Sequence, residues 1–405
     1  MDADAVVIGA GVSGLACASA LAAAGRKVAV LEARSGIGGR ISTYYPEDGG
    51  PSLELGAQVV HGNANPVAAV LGDRALVRDQ RAAAARVVIG DKVAELRTLA
   101  PESAPGEAPW MIEAAMARQV PADISIENYL ASLDVSATSR RVAAEWFRQQ
   151  WAAEPRELSA RGVATARRAD AVGTGEHAVD GGFAGLPRAL ARGLTVRLDC
   201  PVRLLAWSPG RVQVHAADGT VTARAAVVTA PPGVVASGGL RIEGMPVVKA
   251  AAARQLRLGD ACCAVLTMTR PAPESAVVFD ASGRSGFVRC VAGRPEVLVV
   301  GKAGAAAMVR HGDLRALVGR ALPWAARTAV RAARVADWGG DPWITGGFSF
   351  PRAGGLWAAA AWGEPVARTV FFAGEAVLTG RLLPRVHGSM GTGFAAARQV
   401  MEAMG

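Results

Sequence analysis

The N-terminal part of the chain alternates short apolar runs with glycine-rich turns. Residues 5–8 are all apolar and predict a buried parallel strand, residues 12–24 predict an alanine-rich helix, and residues 28–31 predict a second buried strand. The turn Gly-Ala-Gly-Val-Ser-Gly at 9–14 connects the first strand to the helix. This order of strand, turn, helix and strand is typical of the start of a parallel α/β unit.

The remaining chain mixes helical and strand patterns. Composition predicts a surface loop at 100–109, and the spacing of apolar residues predicts helices at 124–133 and 141–154. The dipeptide Asp218-Gly219 predicts the turn of a hairpin over 212–221, because this dipeptide adopts the positive φ angles of a tight turn. The other predicted elements are a helix at 186–191, strands at 195–198, 226–230 and 369–372, and a closing helix at 388–401.

Length and composition indicate a folded protein of two or three domains. The chain has 405 residues, of which 51% are hydrophobic and 20% are charged, and this balance excludes a globally disordered chain. Its five cysteines include no Cys-x-x-Cys pair, which argues against a disulfide scaffold and a zinc ribbon. We therefore predict a reducing compartment and no metal site.

The positive charge does not point to a nucleic-acid partner. The formal net charge is +9, but the 44 basic residues are spread along the chain and almost all are arginine, as in bacterial proteins from GC-rich genomes. The apolar stretch over 5–24 is preceded by Asp2 and Asp4 and is interrupted by glycines, unlike a signal peptide or a membrane span. We predict a cytoplasmic protein that binds neither nucleic acid nor membrane.

The glycine-rich turn predicts a dinucleotide site. Gly9 permits a tight turn, Gly11 lets a diphosphate approach the backbone, and Gly14 lets the helix pack closely on the sheet. The helix N-terminus then offers free N–H groups to the phosphates, and an acidic residue ending the second strand can accept from ribose hydroxyls. These features leave FAD and NAD as alternatives. The residues expected at the cofactor are Gly9, Gly11, Val12, Ser13, Gly14 and Glu32.

Blocks along the chain resemble the flavin-containing amine oxidases, a family that includes the monoamine and polyamine oxidases. They occur in the family's order and cover both ends and the middle of the chain. The first and last blocks are the most specific. The blocks are VVIGAGVSGLACASALAAAGRKVAVLEARSGIGGRI (6–41), LELGAQVVHG (53–62), DGGFAGLPRALA (180–191), VVTAPPGVV (227–235) and VFFAGEAVLTGRLLPRVHGSMGTGFAAARQV (370–400).

This resemblance implies an α/β fold and FAD as the cofactor. The implied FAD-binding domain is Rossmann-type and glutathione-reductase-like, assembled from the separate segments 1–75, 175–235 and 366–405. An α+β substrate-binding domain would then comprise residues 76–174 and 236–365.

The resemblance also implies further cofactor contacts. In the loop after the second strand, a glycine pair allows close backbone approach, and Arg34 or Arg40 can offset phosphate charge unless they are ordinary surface arginines. Glu375 lies where the family's glutamate contacts the ribityl–phosphate region, with an ordinary helix-cap carboxylate as the alternative. The closing helix, from about Gly388, would direct its positive end at the flavin's pyrimidine edge. The implied contacts are Ala33, Arg34, Gly38, Gly39, Arg40, Gly56, Ala57, Gln58, Val202, Gly374 and Glu375.

The family's chemistry is hydride transfer from a C–H bond next to nitrogen to flavin N5, followed by reoxidation with O2 to give H2O2. One family position departs from this pattern. A lysine that holds a water against N5 normally follows a glycine by four residues, and counting from Gly259 this position is Cys263. With no lysine expected nearby, the sequence raises doubt about fast oxidase turnover.

Two further positions concern the cofactor link and the substrate wall. Gly347 lies where monoamine oxidases carry the cysteine that bonds to FAD, so the resemblance implies a non-covalent cofactor. Phe348 would form one wall of the aromatic cage that orients the amine, or it could be an ordinary core residue.

Arg385 and His61 complete the candidate catalytic residues. Arg385 replaces the second aromatic of the cage. Pointing inward it would favour an anion over an ammonium ion, whereas pointing outward it would be solvated. His61 matches a histidine near the flavin in polyamine-oxidase-like members and could act as a base, position substrate or be structural.

These residues support competing functions. The leading prediction is an FAD-dependent oxidoreductase of the amine oxidase type, with a small-molecule substrate and O2 as acceptor. The alternative is a flavin-dependent desaturase or dehydrogenase for an anionic or non-amine metabolite, favoured by Cys263 and Arg385. A third possibility is a non-catalytic flavoprotein. The sequence does not predict the substrate or the oligomeric state.

Overall fold

The computed structural model describes residues 1–47, 49–50, 52–72, 76–78, 84–90, 92–95 and 108–405. The strands are β1 (Ala5–Ile8), β2 (Val28–Leu31), β3 (Thr43–Tyr44), β4 (Leu53–Glu54), β5 (Val60–His61), β6 (Leu76–Arg78), β7 (Ala84–Ile89), β8 (Lys92–Glu95), β9 (Glu176–Val179), β10 (Val196–Arg197), β11 (Val202–Ser208), β12 (Arg211–Ala216), β13 (Gly219–Ala223), β14 (Ala225–Val228), β15 (Arg241–Ile242), β16 (Ala261–Met268), β17 (Ala276–Asp280), β18 (Phe287–Cys290), β19 (Glu296–Lys302), β20 (Val330–Asp337) and β21 (Val370–Phe372).

The helices occur singly or in succession between groups of these strands. They are α1 (Val12–Ala23), α2 (Val67–Leu71), α3 (Pro109–Arg118), α4 (Ile126–Ala131), α5 (Ala137–Trp151), α6 (Ala160–Arg168), α7 (Gly185–Leu190), α8 (Pro232–Ala236), α9 (Val247–Gln255), α10 (Gly304–His311), α11 (Leu314–Ala321), α12 (Ala358–Gly363) and α13 (Val386–Met404). Within the described ranges, no helix combines the length and the apolar character that crossing a bilayer demands.

The elements predicted from the sequence are present with small shifts at their ends. The hairpin of β12 and β13 turns one residue earlier than predicted, since Ala216 pairs with Gly219 and leaves Ala217-Asp218 as the loop. Of the predicted surface loop, residues 100–107 lie outside the described residues, and α3 begins at Pro109.

A five-stranded parallel sheet brings distant parts of the chain together. Its strand order is β10-β2-β1-β14-β21, and all of the described pairings between neighbours are parallel. The two faces pack against different cores, because Ala5 and Val7 of β1 lie in one apolar cluster and Val6 and Ile8 lie in another. Burial on both faces explains why β1 is apolar throughout.

A seven-stranded, largely antiparallel sheet supplies the second half of the molecule. Its order is β20-β16-β19-β18-β17-β7-β8, and every residue of β16 is buried. One face packs against α10 and α11. The opposite face carries Cys263 and Val300, which are paired across β16 and β19.

Glycines let α1 and α13 approach closely, which joins the two ends of the chain. A Cβ atom at Gly393 would lie 2.0 Å from the Ser13 carbonyl oxygen, and one at Gly14 would lie 2.0 Å from the Gly9 carbonyl oxygen. Any side chain at these positions would therefore separate the helices, or would push α1 away from the turn that precedes it.

We predict opposite effects for two alanine substitutions in α13. Gly393→Ala should lower the free energy of unfolding by about 1–3 kcal/mol, because the methyl group collides with backbone. Gly391→Ala should raise it by up to about 1 kcal/mol through helix propensity, since Gly391 is exposed and no atom lies within 4 Å of its Cβ position. Urea unfolding of both variants measures the difference, and equal effects would contradict the close helix contact.

Candidate functional site

One cavity of about 420 Å³ is lined by residues of both large sheets and their connections. It collects the four candidate catalytic residues and all but two of the candidate cofactor residues. Those that line it are His61, Cys263, Phe348, Arg385, Gly9, Gly11, Val12, Ser13, Glu32, Ala33, Gly38, Gly39, Arg40, Gly56, Ala57, Gln58, Val202, Gly374 and Glu375. Gly14 and Arg34 are not among the lining residues.

The turn before α1 forms a glycine-lined cradle in this cavity. Gly9 has a φ of +107°, and Gly11 is the N-cap of α1 without a side chain to cap the helix. A Cβ at Gly11 would meet only Gly39, whose Cα lies 4.0 Å away, so it would project into open space beside the cradle. Free N–H groups of the first helical turn together with this space fit a diphosphate.

Glu32 is buried at the wall of the cavity and is held by backbone donors. Its carboxylate accepts hydrogen bonds from the N–H groups of Ala10 at 2.6 Å and Arg34 at 2.9 Å. Burial raises the pKa of Glu32, and these two bonds oppose that shift. The carboxylate keeps further acceptor positions that ribose hydroxyls could use.

The structure separates the two arginines that were candidates for phosphate binding. Arg34 donates to the Gly39 carbonyl oxygen at 2.9 Å, forms an ion pair with Asp341 at 3.3 Å and is not among the residues that line the cavity. Its contact with the cofactor stays a prediction. Arg40 does line the cavity, but it is bonded to Glu375 at 2.9 Å.

A lysine borders the cavity close to Cys263, and the expectation that none would be near was wrong. Lys302 ends β19 directly opposite Ala261 of β16, and Val300 is opposite Cys263. Opposed residues of an antiparallel pair project from the same face, so Lys302 extends into the cavity beside Cys263. A neighbouring strand thus places a lysine near the position that resemblance assigned to Cys263.

The Lys302 ammonium group is enclosed and weakly partnered. Its Nζ atom lies 5.0 Å from the centroid of the Phe348 ring and has no hydrogen-bond acceptor among the described residues. Burial lowers the pKa of Lys302 to about 8. The group is therefore mainly protonated at pH 7 and loses its charge just above neutrality.

His61 borders the same part of the cavity as a neutral imidazole. Burial, with the positive charges of Arg385 and Arg167, lowers the pKa of His61 to about 3. The Glu176 carboxylate lies 3.6 Å from its Nδ1 atom, but this side chain is 53% exposed and water screens its charge. At such a low pKa the imidazole is a weak base, which favours positioning over proton abstraction.

Arg385 lines the cavity as the N-cap of α13, and its charge is balanced. The guanidinium group forms an ion pair with Asp170 at 2.6 Å, and both side chains are largely buried. Arg385 thus borders the cavity while it is paired with the Asp170 carboxylate, a partner that the sequence did not predict. Arg385 is therefore not an unpaired cation that would select an anionic substrate.

Sequence reasoning missed several other cavity residues. Lys302 carried a signal, because lysine is rare in a chain whose 44 basic residues are nearly all arginine. Some of the other missed residues come from segments outside the quoted family blocks and carried no such signal, among them Gln150, Glu176, Arg289, Trp338 and Trp343. Others, such as Thr229 and Pro231, lie inside those blocks.

Residues 12–401 match the family model described as flavin containing amine oxidoreductase. The chain belongs to this family. It is an FAD-dependent oxidoreductase, and its cofactor is FAD. Polyamine oxidase 4 of Oryza sativa subsp. japonica is 28% identical over 97% of this chain and 87% of its own length. Putrescine oxidase of Kocuria rosea is 44% identical over a segment covering 19% of this chain and 16% of that protein.

Solved structures of low sequence identity share the whole fold. Putrescine oxidase bound to putrescine superposes with a TM-score of 0.80 at 20% identity, covering 99% of both chains. Cyclohexylamine oxidase from Brevibacterium oxydans superposes with a TM-score of 0.82 at 21% identity, covering 100% of both chains. The mixed α/β architecture described above is thus a fold found in amine oxidases.

We predict that Gly11→Asp abolishes FAD binding while the protein stays folded. The φ and ψ of Gly11, −70° and 173°, suit any residue, and aspartate at an N-cap stabilises a helix by about a few tenths of a kcal/mol relative to glycine. Its carboxylate would, however, repel the diphosphate. Gly11→Asn matches the size and capping without the charge and should lose less affinity. FAD titration followed by flavin fluorescence measures both, and normal FAD occupancy of Gly11→Asp would refute the cradle.

Proposed function

We propose that this chain is an amine oxidase, which transfers hydride from a C–H bond next to nitrogen in a small-molecule amine and passes the electrons to O2, giving H2O2. The observation that carries the proposal is one cavity in which a glycine-lined cradle is continuous with a wall formed by Phe348 and Lys302. The similarity to polyamine, putrescine and cyclohexylamine oxidases supports an amine as substrate.

We propose two domains, each built around one of the two large sheets. Residues 1–75, 175–235 and 366–405 would form a Rossmann-type FAD-binding domain, and residues 76–174 and 236–365 the substrate-binding domain. In support, the strands of the parallel sheet all come from the first group of segments, and those of the seven-stranded sheet all come from the second.

The residues of the cradle bind and orient the cofactor in this proposal. Bound FAD supplies the hydride acceptor and the route to dioxygen. N–H groups at the start of α1 hold the diphosphate, and Glu32 accepts from ribose hydroxyls. The N-terminus of α13, where Val386 and Ser389 line the cavity, offsets negative charge at the pyrimidine edge. Gly347 has no thiol, so we expect a non-covalent cofactor.

The opposite wall orients the amine. Phe348 offers an apolar face, and neutral His61 can accept or donate a hydrogen bond without repelling a cation. The Lys302 ammonium group is positioned to stabilise negative charge that develops when electrons pass to O2. We assign to Lys302 the role that the family's lysine has at the position occupied here by Cys263.

The alternative of a desaturase or dehydrogenase for an anionic metabolite is not favoured. It depended on a missing lysine and on an inward-facing free arginine. Lys302 borders the cavity beside Cys263, and Asp170 neutralises Arg385.

We predict that the purified protein is yellow and that amines bleach its flavin absorbance anaerobically. Putrescine, cyclohexylamine and benzylamine are suitable first substrates, and admitting air should restore the colour with one H2O2 for each amine oxidised. Succinate serves as the anionic control and should leave the spectrum unchanged. A colourless protein that takes up no FAD, or bleaching by succinate and by none of the amines, would refute the proposal.

We predict that Lys302→Met slows reoxidation by O2 by about tenfold or more, the order expected when one group stabilising developing charge is removed. The sign of the pH dependence follows from its pKa of about 8, since the wild-type rate should fall as pH rises through that value. The variant should lack this fall. Stopped-flow mixing of reduced protein with oxygenated buffer measures both rates, and Lys302→Arg, which keeps the charge at all these pH values, should react fast without the pH dependence.

A further inference from the structure

Glu375 is bound within the protein by a dense set of donors. Its Oε1 atom accepts from the Arg40 guanidinium at 2.9 Å and from the Ser349 backbone N–H at 3.0 Å. Its Oε2 atom accepts from the Ser349 hydroxyl at 2.6 Å. Glu375 is 7% exposed. Two of these three hydrogen bonds come from Ser349, the residue after Phe348.

The same segment is held from three directions. Arg40 donates a second hydrogen bond to the Gly347 carbonyl oxygen at 2.8 Å. On the other side, the Gly347 N–H donates to the Gly259 carbonyl oxygen at 2.8 Å, and the Gly259 N–H donates to the Phe348 carbonyl oxygen at 2.9 Å. The backbone on both sides of Phe348 is therefore fixed to Gly259, two residues before β16, and to the Arg40–Glu375 pair.

The position of the Phe348 ring depends on this backbone. A Cβ at Gly347 would lie 2.6 Å from the Ala261 side chain, so the segment already packs as tightly as it can against β16. The ring forms the wall on which the Lys302 ammonium group lies. A small shift of residues 347–349 would therefore move the aromatic face and its contact with the cation together.

We propose that Arg40 and Glu375 are positioning residues for the substrate wall: the ion pair and Ser349 hold residues 347–349 so that Phe348 stays against Lys302. This inference rests on the proposed amine oxidase function and deepens it. The Arg40 and Glu375 side chains are 25% and 8% exposed, so the ion pair is partly buried. Such a pair contributes little net stability because desolvation opposes the Coulomb attraction, but it enforces one geometry when its remaining positions are hydrogen-bonded. Because Arg40 and Glu375 also line the cavity near the cradle, they link the cofactor region to the substrate wall.

Ser349→Ala tests the inference because it removes one hydroxyl and leaves the ion pair. Ser285 provides a matched control elsewhere in the molecule. Its backbone N–H and hydroxyl both donate to the Asp280 carboxylate, at 3.1 and 2.9 Å, and it does not line the cavity. Ser349 and Ser285 are 2% and 0% exposed, so each alanine variant removes a buried hydroxyl that donates to a carboxylate. The Ser349 hydroxyl also lies 2.5 Å from the Thr379 hydroxyl.

We predict that Ser349→Ala lowers the rate of anaerobic flavin bleaching at saturating amine by about tenfold, since small misplacements in a reacting pair have effects of this order. The rate should fall more than KM rises, and the FAD dissociation constant should stay within about twofold of wild type. The visible circular dichroism of the bound flavin, which needs no turnover, should change as well. Ser285→Ala should match wild type in all of these measurements.

Glu375→Gln extends the test to the ion pair. If the pair and Ser349 act as one unit, the double variant with Ser349→Ala should be no slower than Glu375→Gln alone, because interacting residues give non-additive losses. Additive losses, or a Ser349→Ala variant that matches Ser285→Ala in bleaching rate and circular dichroism, would overturn the inference. If wild type binds FAD but no amine bleaches it, the proposed function fails by itself, and the circular dichroism comparison still decides the positioning role.

Discussion

The site depends on the close contact between the first and last helices of the chain. Gly14 lets α1 lie against the turn that precedes it, and Gly393 lets α13 lie against the start of α1. This contact places the N-termini of two helices at one cavity, although α1 and α13 are separated by most of the sequence. Two positive helix ends facing the same space suit a cofactor that carries negative charge at its diphosphate and gains more when it is reduced.

Burial then determines the protonation states around this cavity. The same physical effect, loss of hydration, raises the pKa of Glu32 and lowers the pKa values of Lys302 and His61. The resulting charge states of these residues differ because their neighbouring groups differ. Backbone N–H groups favour the Glu32 carboxylate, whereas nearby cations push His61 further towards the neutral form. A cavity with a neutral histidine and a lysine close to its titration point is suited to handling amines near neutral pH.

Arg40 and Glu375 illustrate how resemblance can assign a residue to a region and leave its contacts open. Both line the cavity, as the family pattern implied. Their observed hydrogen bonds, however, reach Gly347 and Ser349, which lie on either side of Phe348. Arg34, which lies six residues before Arg40 and was also a candidate for phosphate binding, is bonded to Gly39 and Asp341 instead. Arginine side chains are long, and the position of the guanidinium group depends on which hydrogen-bond acceptors lie nearby.

The sequence by itself determined the parallel α/β opening and the glycine cradle, because these depend on local patterns: apolar runs, glycines at fixed spacing and an acid at the end of a strand. These patterns left FAD and NAD open, and the resemblance of the ordered blocks to a known family indicated a flavin. Only the tertiary structure decided which side chains meet in the cavity. Lys302 reaches the surroundings of Cys263 because β19 pairs with β16 in one particular register, and Asp170 reaches Arg385 across more than two hundred residues. Such pairings are set by strand register and long-range packing, which a local pattern does not encode.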